Sequence, residues 1–294
     1  MKISSIYKLP LLLKEYFHRK IISMFSSRDY IALEENRSQS ENGLYISFVK
    51  RAVKTPKVFA KFKRHPSYRS VLEHVGEADG YRYIDIISNQ TPEILQIISK
   101  FKENDTLGSP IVFNFKNLGH FSPTTLRYIK VASDLKKYFG ENVGKNVVEI
   151  GIGYGGQLLV NDGIFNIQKY TLFDLPPVLE LTSKYLESFI LNCGYSLSTL
   201  NQDSGTNSYD LAISNYAFSE LPINLQVKYV SKVLSRARRG YLTMNTGMGG
   251  EDLDRKYLSI EALRELLPPF DVLEENPKSN PNNYIIIWGH KTLN

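Results

Sequence analysis

The apolar positions of this chain change their period near residue 145. Before it they recur every three or four residues, the spacing of one helix face. Over 41–64, Leu44, Phe48, Val53, Val58, Phe59 and Phe62 predict helix, with Pro56 as a break or a fresh start. A short helix is expected over 66–75. Over 92–101, Ile94, Leu95, Ile97 and Ile98 make an apolar face, with Thr91 as cap and Pro92 in the first turn. Ser122 caps and Pro123 opens another helix, expected to reach Phe139 and stop at Gly140. The stretch ahead of it, 117–121, reads as a loop.

After residue 145, short runs of β-branched and aromatic residues alternate with helical segments. Strands are predicted at 147–150, 169–173, 195–200, 209–215 and 240–245, with helices from Gln157, from Pro176 and over 224–236. That alternation builds a parallel sheet. Ser259 caps one more helix, to Leu267. The last two strands, 270–274 and 283–289, have no helix between them, so they must pair antiparallel. The fold class expected is α/β: a doubly wound, mostly parallel seven-stranded sheet ending in an antiparallel hairpin. Residues 1–115 are expected to form a mainly helical region that covers the substrate, and 116–294 the sheet domain.

Candidate chemistry centres on Val147-Val148-Glu149-Ile150-Gly151-Ile152-Gly153-Tyr154-Gly155-Gly156. A buried strand runs into four glycines within six positions, and a helix follows. Glycines let backbone amides approach a ligand, and the helix N-terminus adds its positive dipole end. Two nucleotide-like cofactors fit. Gly151-x-Gly153-x-x-Gly156 matches the dinucleotide fingerprint. Glu149-x-Gly151-x-Gly153-x-Gly155 matches the first motif of class I methyltransferases, which bind S-adenosyl-L-methionine. A carboxylate buried at position 149 needs donors or a cation. The ammonium and sulfonium of S-adenosylmethionine supply that cation, whereas a pyrophosphate would repel it, so the methyltransferase reading is preferred.

Other groups follow from the strand ends. Asp174 ends the second strand, 25 residues after Glu149, where an acidic side chain takes ribose hydroxyls. Asp203 follows the third strand, in reach of an adenine amine. Ser214 and Asn215 end the fourth strand beside the expected reactive methyl. Asp210 begins that strand, at the wrong end for chemistry.

The net charge of +6 is uneven: residues 1–70 hold 15 Lys or Arg against 5 Asp or Glu. A basic N-terminal third suits anionic lipid, a polyanionic substrate or simply water. Apolar clusters in the first 25 residues are interrupted by charge and lack a signal peptide's pattern. No run is long enough to span a membrane. The single Cys193 excludes a disulfide framework and a cysteine-based zinc site. The expected location is the cytoplasm, with peripheral contact to the inner face of a membrane through the basic N-terminus.

Five stretches together resemble the bacterial sugar O-methyltransferase family. They are Ser122-Pro123-Thr124-Thr125-Leu126-Arg127-Tyr128, the glycine motif from Glu149, Tyr170-Thr171-Leu172-Phe173-Asp174-Leu175-Pro176, Ser214-Asn215-Tyr216-Ala217-Phe218-Ser219-Glu220-Leu221, and Trp288-Gly289. The resemblance covers about residues 45–290. It implies a class I fold, S-adenosylmethionine as cofactor and a sugar or surface-glycan acceptor.

A sugar hydroxyl is a weak nucleophile, so methyl transfer to it asks for a base or a bound cation. Glu220 and Tyr216, after the fourth strand, and His120, in the loop before the capped helix, are the candidates. A divalent metal beside Glu220 is open, but no metal-binding spacing supports it. Another small molecule, or nucleic acid because the chain is basic, is the alternative acceptor, and nucleic acid is the less favoured. Base-modifying enzymes often carry an Asp/Asn-Pro-Pro-Tyr/Phe grip after the fourth strand, and Ser214-Asn215-Tyr216-Ala217 stands there instead. A docking module without activity, or an NAD-dependent oxidoreductase, would also fit a glycine turn of this kind.

Overall fold

The computed structural model describes residues 43–203, 205–245 and 257–290. The basic segment before residue 43, with its expected membrane contact, lies outside the described residues. The N-terminal helices are α1 (Gly43–Lys54), α2 (Pro56–Phe59), α3 (Pro66–Arg69), α4 (Glu77–Gln90) and α5 (Pro92–Gln96). A hairpin of β1 (Phe113–Phe115) and β2 (Gly119–Phe121) leads to α6 (Pro123–Phe139). The sheet region follows as β3 (Asn146–Ile150), α7 (Gly156–Ile164), β4 (Lys169–Phe173), α8 (Pro176–Leu186), β5 (Gly194–Ser198) and β6 (Tyr209–Asn215). It ends with α9 (Ala217–Glu220), α10 (Ile223–Lys232), β7 (Ala237–Met244), α11 (Ile260–Leu266), β8 (Phe270–Glu274) and β9 (Tyr284–Trp288).

Seven strands form one sheet in the order β5-β4-β3-β6-β7-β9-β8. The first five are parallel, and β9 runs antiparallel to both β7 and β8. This is the class I methyltransferase sheet expected from the sequence. Register is fixed by burial: Glu149 of β3 stands between Leu172 of β4 and Ile213 of β6. In α6, Ser122 accepts a hydrogen bond from the Thr125 amide, the predicted cap. Ser259 caps α11 the same way through Ala262.

Three local expectations are corrected. The helix predicted over 92–101 is two pieces, α5 and a 3-10 segment Ile98–Asp105. The Thr91 hydroxyl makes no cap there; it bonds the Ser133 hydroxyl at 2.6 Å, tying the helix start to α6. The loop expected at 117–121 contains a strand, because Phe113, Phe115 and Phe121 alternate inward across a turn at Asn117. And α4 has no counterpart among the predicted helices. Its buried stripe is Gly80, Tyr83 and Ile87, and a side chain at Gly80 would meet the Phe115 ring at 2.4 Å. A glycine inside a helix usually weakens it, but here it admits close packing.

The helical layer and the sheet bury each other. One apolar cluster runs from Tyr45 and Phe48 of α1, through Ile129 and Leu135 of α6, to Tyr241 of β7 and Ile287 of β9. A second cluster lies on the other face, around Val148, Phe218, Val230, Leu263 and Trp288. No helix among the described residues is long and apolar enough to cross a membrane.

Candidate active site

The glycine turn follows β3 directly. Gly151, Gly153 and Gly155 all have positive φ, at 75°, 58° and 89°. A Cβ at Gly151 would stand 1.9 Å from that of Ala217, and one at Gly153 would meet Leu72 at 2.9 Å. The turn is thus glycine both for its backbone angles and for what presses on it.

Glu149 is 2% exposed at the end of β3. Its Oε2 accepts from the Tyr170 hydroxyl at 2.8 Å, and that hydroxyl accepts from Asn161 Nδ2 at 3.1 Å. Gln157 continues the chain of bonds, donating to Asn161 Oδ1 at 3.0 Å and accepting from Asn215 Nδ2 at 3.4 Å. Burial pushes the Glu149 carboxyl up to about 8, against the Tyr170 hydrogen bond, with Asp174 adding to the rise. The buried carboxylate thus has one neutral donor in the protein and no cation at ion-pair distance among the described residues.

Asp174, partly exposed, ends β4 facing the turn. Its Oδ2 accepts from the Ile152 amide at 2.8 Å and its Oδ1 from the Leu175 amide at 2.7 Å. Burial still pushes this carboxyl up to about 6, against those amides. Each oxygen keeps a lone pair for a further donor.

At the end of β6, Ser214 is fully committed: its Oγ donates to Ile150 O at 2.9 Å and accepts from the Phe218 amide at 3.0 Å. It fastens β6 to the turn strand. Asn215 beside it has a buried Oδ1 with no partner among the described residues. Tyr216 takes φ of 68°, and its hydroxyl donates to Glu275 Oε1. Burial and the Glu275 charge hold that phenol protonated far above neutral pH. Glu220 accepts from Asn245 Nδ2 at 3.2 Å, and burial raises its carboxyl above the usual range.

Glu149, the glycines, Asp174, Ser214, Asn215, Tyr216 and Glu220 therefore gather at the C-terminal edge of the parallel strands, where such sheets bind ligands. Two expected residues stand apart. The first is Asp203, expected near the adenine. Its Oδ1 accepts from Asn207 Nδ2 at 3.2 Å and its carboxylate acts on Tyr209, the first residue of β6. The return loop carries it toward the opposite edge. The second is His120, which is exposed on β2, opposite Asn114, and not in a covering loop. Asp210, as expected, serves structure: its Oδ2 accepts from the Lys145 and Asn146 amides at 2.7 and 3.0 Å.

The covering layer supplies groups that the sequence patterns do not reveal. Lys63 is 1% exposed. Its ammonium donates to Asn104 O and lies 4.0 Å from the ring of Tyr154, within the glycine turn. Asn104 Nδ2 bonds the Tyr154 hydroxyl at 3.1 Å and Thr125 Oγ1 at 2.7 Å. A lysine between aromatic residues gives no signal, because lysines are rarely buried. Arg127, 8% exposed, donates from Nη2 to Leu72 O at 3.2 Å, on the residue that presses against Gly153.

Beside Asn215 and Tyr216 a cleft of about 20 Å³ is lined by Tyr83, Arg127, Lys130, Thr243 and Glu275. A broader groove of about 710 Å³ opens at the other strand ends, around Asp210, Arg236 and Trp288, away from the glycine turn. Among the described residues, no group of three or more His, Cys, Asp or Glu side chains is placed to hold a metal ion.

No protein-family model matches the chain, and no curated protein matches it. Among solved structures it is similar to the mitomycin 7-O-methyltransferase MmcR, at 11% identity over 84% of this chain and 68% of that one, with a TM-score of 0.41. It is similar to a SAM-dependent methyltransferase from Aquifex aeolicus, at 17% identity over 55% of this chain and 95% of that one, TM-score 0.38. It is also similar to an rRNA methylase from Streptococcus thermophilus, at 18% identity over 55% and 93%, TM-score 0.39. What identifies the fold is the strand order: a class I methyltransferase sheet, with the glycine turn at its centre.

Proposed function

We propose that the chain is an O-methyltransferase that takes its methyl group from S-adenosyl-L-methionine and gives it to a hydroxyl of a sugar or glycan. The observation that carries this is the meeting of Glu149, the glycine turn and Asp174. The Ile152 N–H bond to Asp174 ties one carboxylate to the turn, and the Tyr170 hydroxyl holds Glu149 on the strand that leads into it. Asp174, ionised at neutral pH, would repel a pyrophosphate, and a cationic, ribose-bearing ligand would favour release of the proton that burial keeps on Glu149 below about pH 8.

The residues present fit that cofactor. Asp174 has lone pairs left for ribose hydroxyls. The unpartnered Oδ1 of Asn215 is a buried acceptor for a donor such as an ammonium. A cationic group beside Glu149 would lower its affinity for the proton and stabilise the carboxylate. When bound, S-adenosylmethionine supplies a methyl already activated by its sulfonium. The rest of the task is alignment and removal of one proton. Glu220, with its raised affinity for a proton, receives the one that the acceptor hydroxyl gives up. Tyr216 stays protonated and braces the site through Glu275. The sugar acceptor rests on the sequence resemblance and on the hydroxyl chemistry these groups serve.

The test is calorimetric titration of the purified chain with S-adenosylmethionine and, separately, NADH, with Asp174→Ala as control. Micromolar binding of the first, lost in the variant, supports the proposal. Binding of NADH alone, or of neither, overturns it.

A further inference from the structure

Four charged side chains line or border the small cleft beside Asn215, and three of them are internally satisfied. Lys130 pairs with Asp134 at 2.7 Å, and Asp134 also accepts from the Tyr241 hydroxyl at 2.5 Å and from Gln90 at 2.8 Å. Glu275 accepts from Tyr216 through one oxygen and from the Ser279 amide and hydroxyl through the other, at 2.9 and 2.8 Å. Arg127 differs. Its guanidinium lies by the rings of Tyr128 and Tyr216, at 5.8 and 5.9 Å from their centres, and its one hydrogen bond among the described residues goes to Leu72 O. Among the described residues no carboxylate lies within ion-pair distance of it.

A buried guanidinium has five donors and cannot shed its proton. Leaving it without a counter-charge is costly, so such a group normally has a partner. Glu73 is the carboxylate that acts on Arg127 electrostatically, after the phenols of Tyr128, Tyr83 and Tyr216. But Glu73 is itself buried, and among the described residues its Oε1 has no partner and no ion pair joins it to Arg127. The flat fork of an arginine matches a carboxylate or a phosphate with two parallel bonds. A cleft of about 20 Å³ admits one small polar group, the tip of a ligand rather than a sugar ring.

We propose that Arg127 reads an anionic group, carboxylate or phosphate, on the methyl acceptor, so that the enzyme's substrates are acidic sugars. This rests on the methyl-transfer reading above, and it adds the acceptor's charge to it. The aromatic rings of Tyr128 and Tyr216 hold the guanidinium in plane for that contact. Arg127 leans on Leu72, so filling the cleft also bears on the segment that covers Gly153.

The experiment titrates the full chain, loaded with S-adenosylhomocysteine, with glucuronate, glucose 1-phosphate and glucose. Arg127→Gln, Arg127→Lys and the surface variant Arg82→Gln are run alongside, each checked for folding by thermal melt. At least one anionic sugar should bind ten times more tightly than glucose, and which one does so tells carboxylate from phosphate. The preference should vanish in Arg127→Gln, fall but persist in Arg127→Lys, and stay intact in Arg82→Gln. Equal affinities, binding of none of the three, a preference that survives in Arg127→Gln, or its loss in Arg82→Gln would each overturn the proposal. Loading with S-adenosylhomocysteine is measured first. A chain that loads but shows no anion preference sinks this inference alone, and one that does not load sinks the methyltransferase reading.

Discussion

The Tyr170 hydroxyl donates a 2.8 Å hydrogen bond to the Glu149 carboxylate, from one central strand to its neighbour. That bond is what makes an acidic residue tolerable at the end of a fully buried strand. Glu149 has a folded affinity for protons near pH 8, against an ordinary carboxyl value of 4.5. The folded state therefore binds the proton more tightly than the unfolded one. The stability it contributes is complete below about pH 4.5 and is lost as pH rises through 8. Urea unfolding of the free chain at pH 5 and pH 8 should show the wild type losing roughly 3 kcal/mol relative to Glu149→Gln. An unchanged difference between the two proteins would show that Glu149 titrates normally.

The glycine turn offers a comparison of backbone strain with steric contact. Gly140 and Gly151 have nearly the same φ, 79° and 75°, but Gly140 has open space where a Cβ would go and Gly151 has Ala217. Gly140→Ala, at φ 79° and ψ −164°, should cost about 1–3 kcal/mol, the strain alone. Gly151→Ala should cost about 3 kcal/mol or more and abolish cofactor binding. Thermal melts of the two variants check this directly. Equal costs would mean that the turn can move away from Ala217.

Asp174 should make cofactor affinity depend on pH. Its carboxyl is pushed up to about 6 by burial, and ribose hydroxyls donate best to the ionised form. Affinity for S-adenosylmethionine should be full at pH 7.5 and fall as pH drops through 6. Asp174→Asn should weaken binding roughly tenfold or more at pH 7.5 and flatten the profile, because a bond to a charged acceptor is worth about 1.5–3 kcal/mol. Calorimetry at pH 5.5 and 7.5 reads both effects.

Lys63 predicts the opposite slope in stability. Burial brings its ammonium down to about 8, against the nearby carboxylates of Glu73 and Asp105, from an ordinary 10.5. Here the unfolded chain binds the proton more tightly, so the group's contribution grows as pH rises from 8 toward 10.5. The stability of wild type relative to Lys63→Met should therefore increase between pH 8 and 9.5 in denaturant titrations. A constant difference would place the lysine in a wetter setting than its 1% exposure indicates.

The sheet is legible in the sequence and the covering layer much less so. The strands at 169–173, 209–215 and 270–274 match their predicted bounds to the residue. Buried parallel strands are continuous apolar runs, and those runs end where polar turn residues begin. The site residues at strand ends are legible for the same reason, since topology puts carboxyl ends together whatever the loops do. Asp203 departs from its expected place because the loop after β5 turns back by its own hydrogen bonds, which strand periodicity does not record. Helix α4 escapes prediction because its face uses Gly80 as a packing position. Lys63 and Arg127 look like surface charges in the sequence. What buries them is long-range, the rings of Tyr154, Tyr185 and Tyr216, each far along the chain.

The apolar cluster that joins α1 to β9 has an evolutionary consequence. A substrate-covering layer with its own core could be exchanged between enzymes as a unit, leaving the catalytic sheet untouched. This layer shares its interior with the sheet, so grafting it elsewhere would require matching surfaces on α6, α7 and α8 at once. Exchange of the layer alone is therefore expected to leave an unmatched core on both sides. The helical layer and the sheet are two sides of one core.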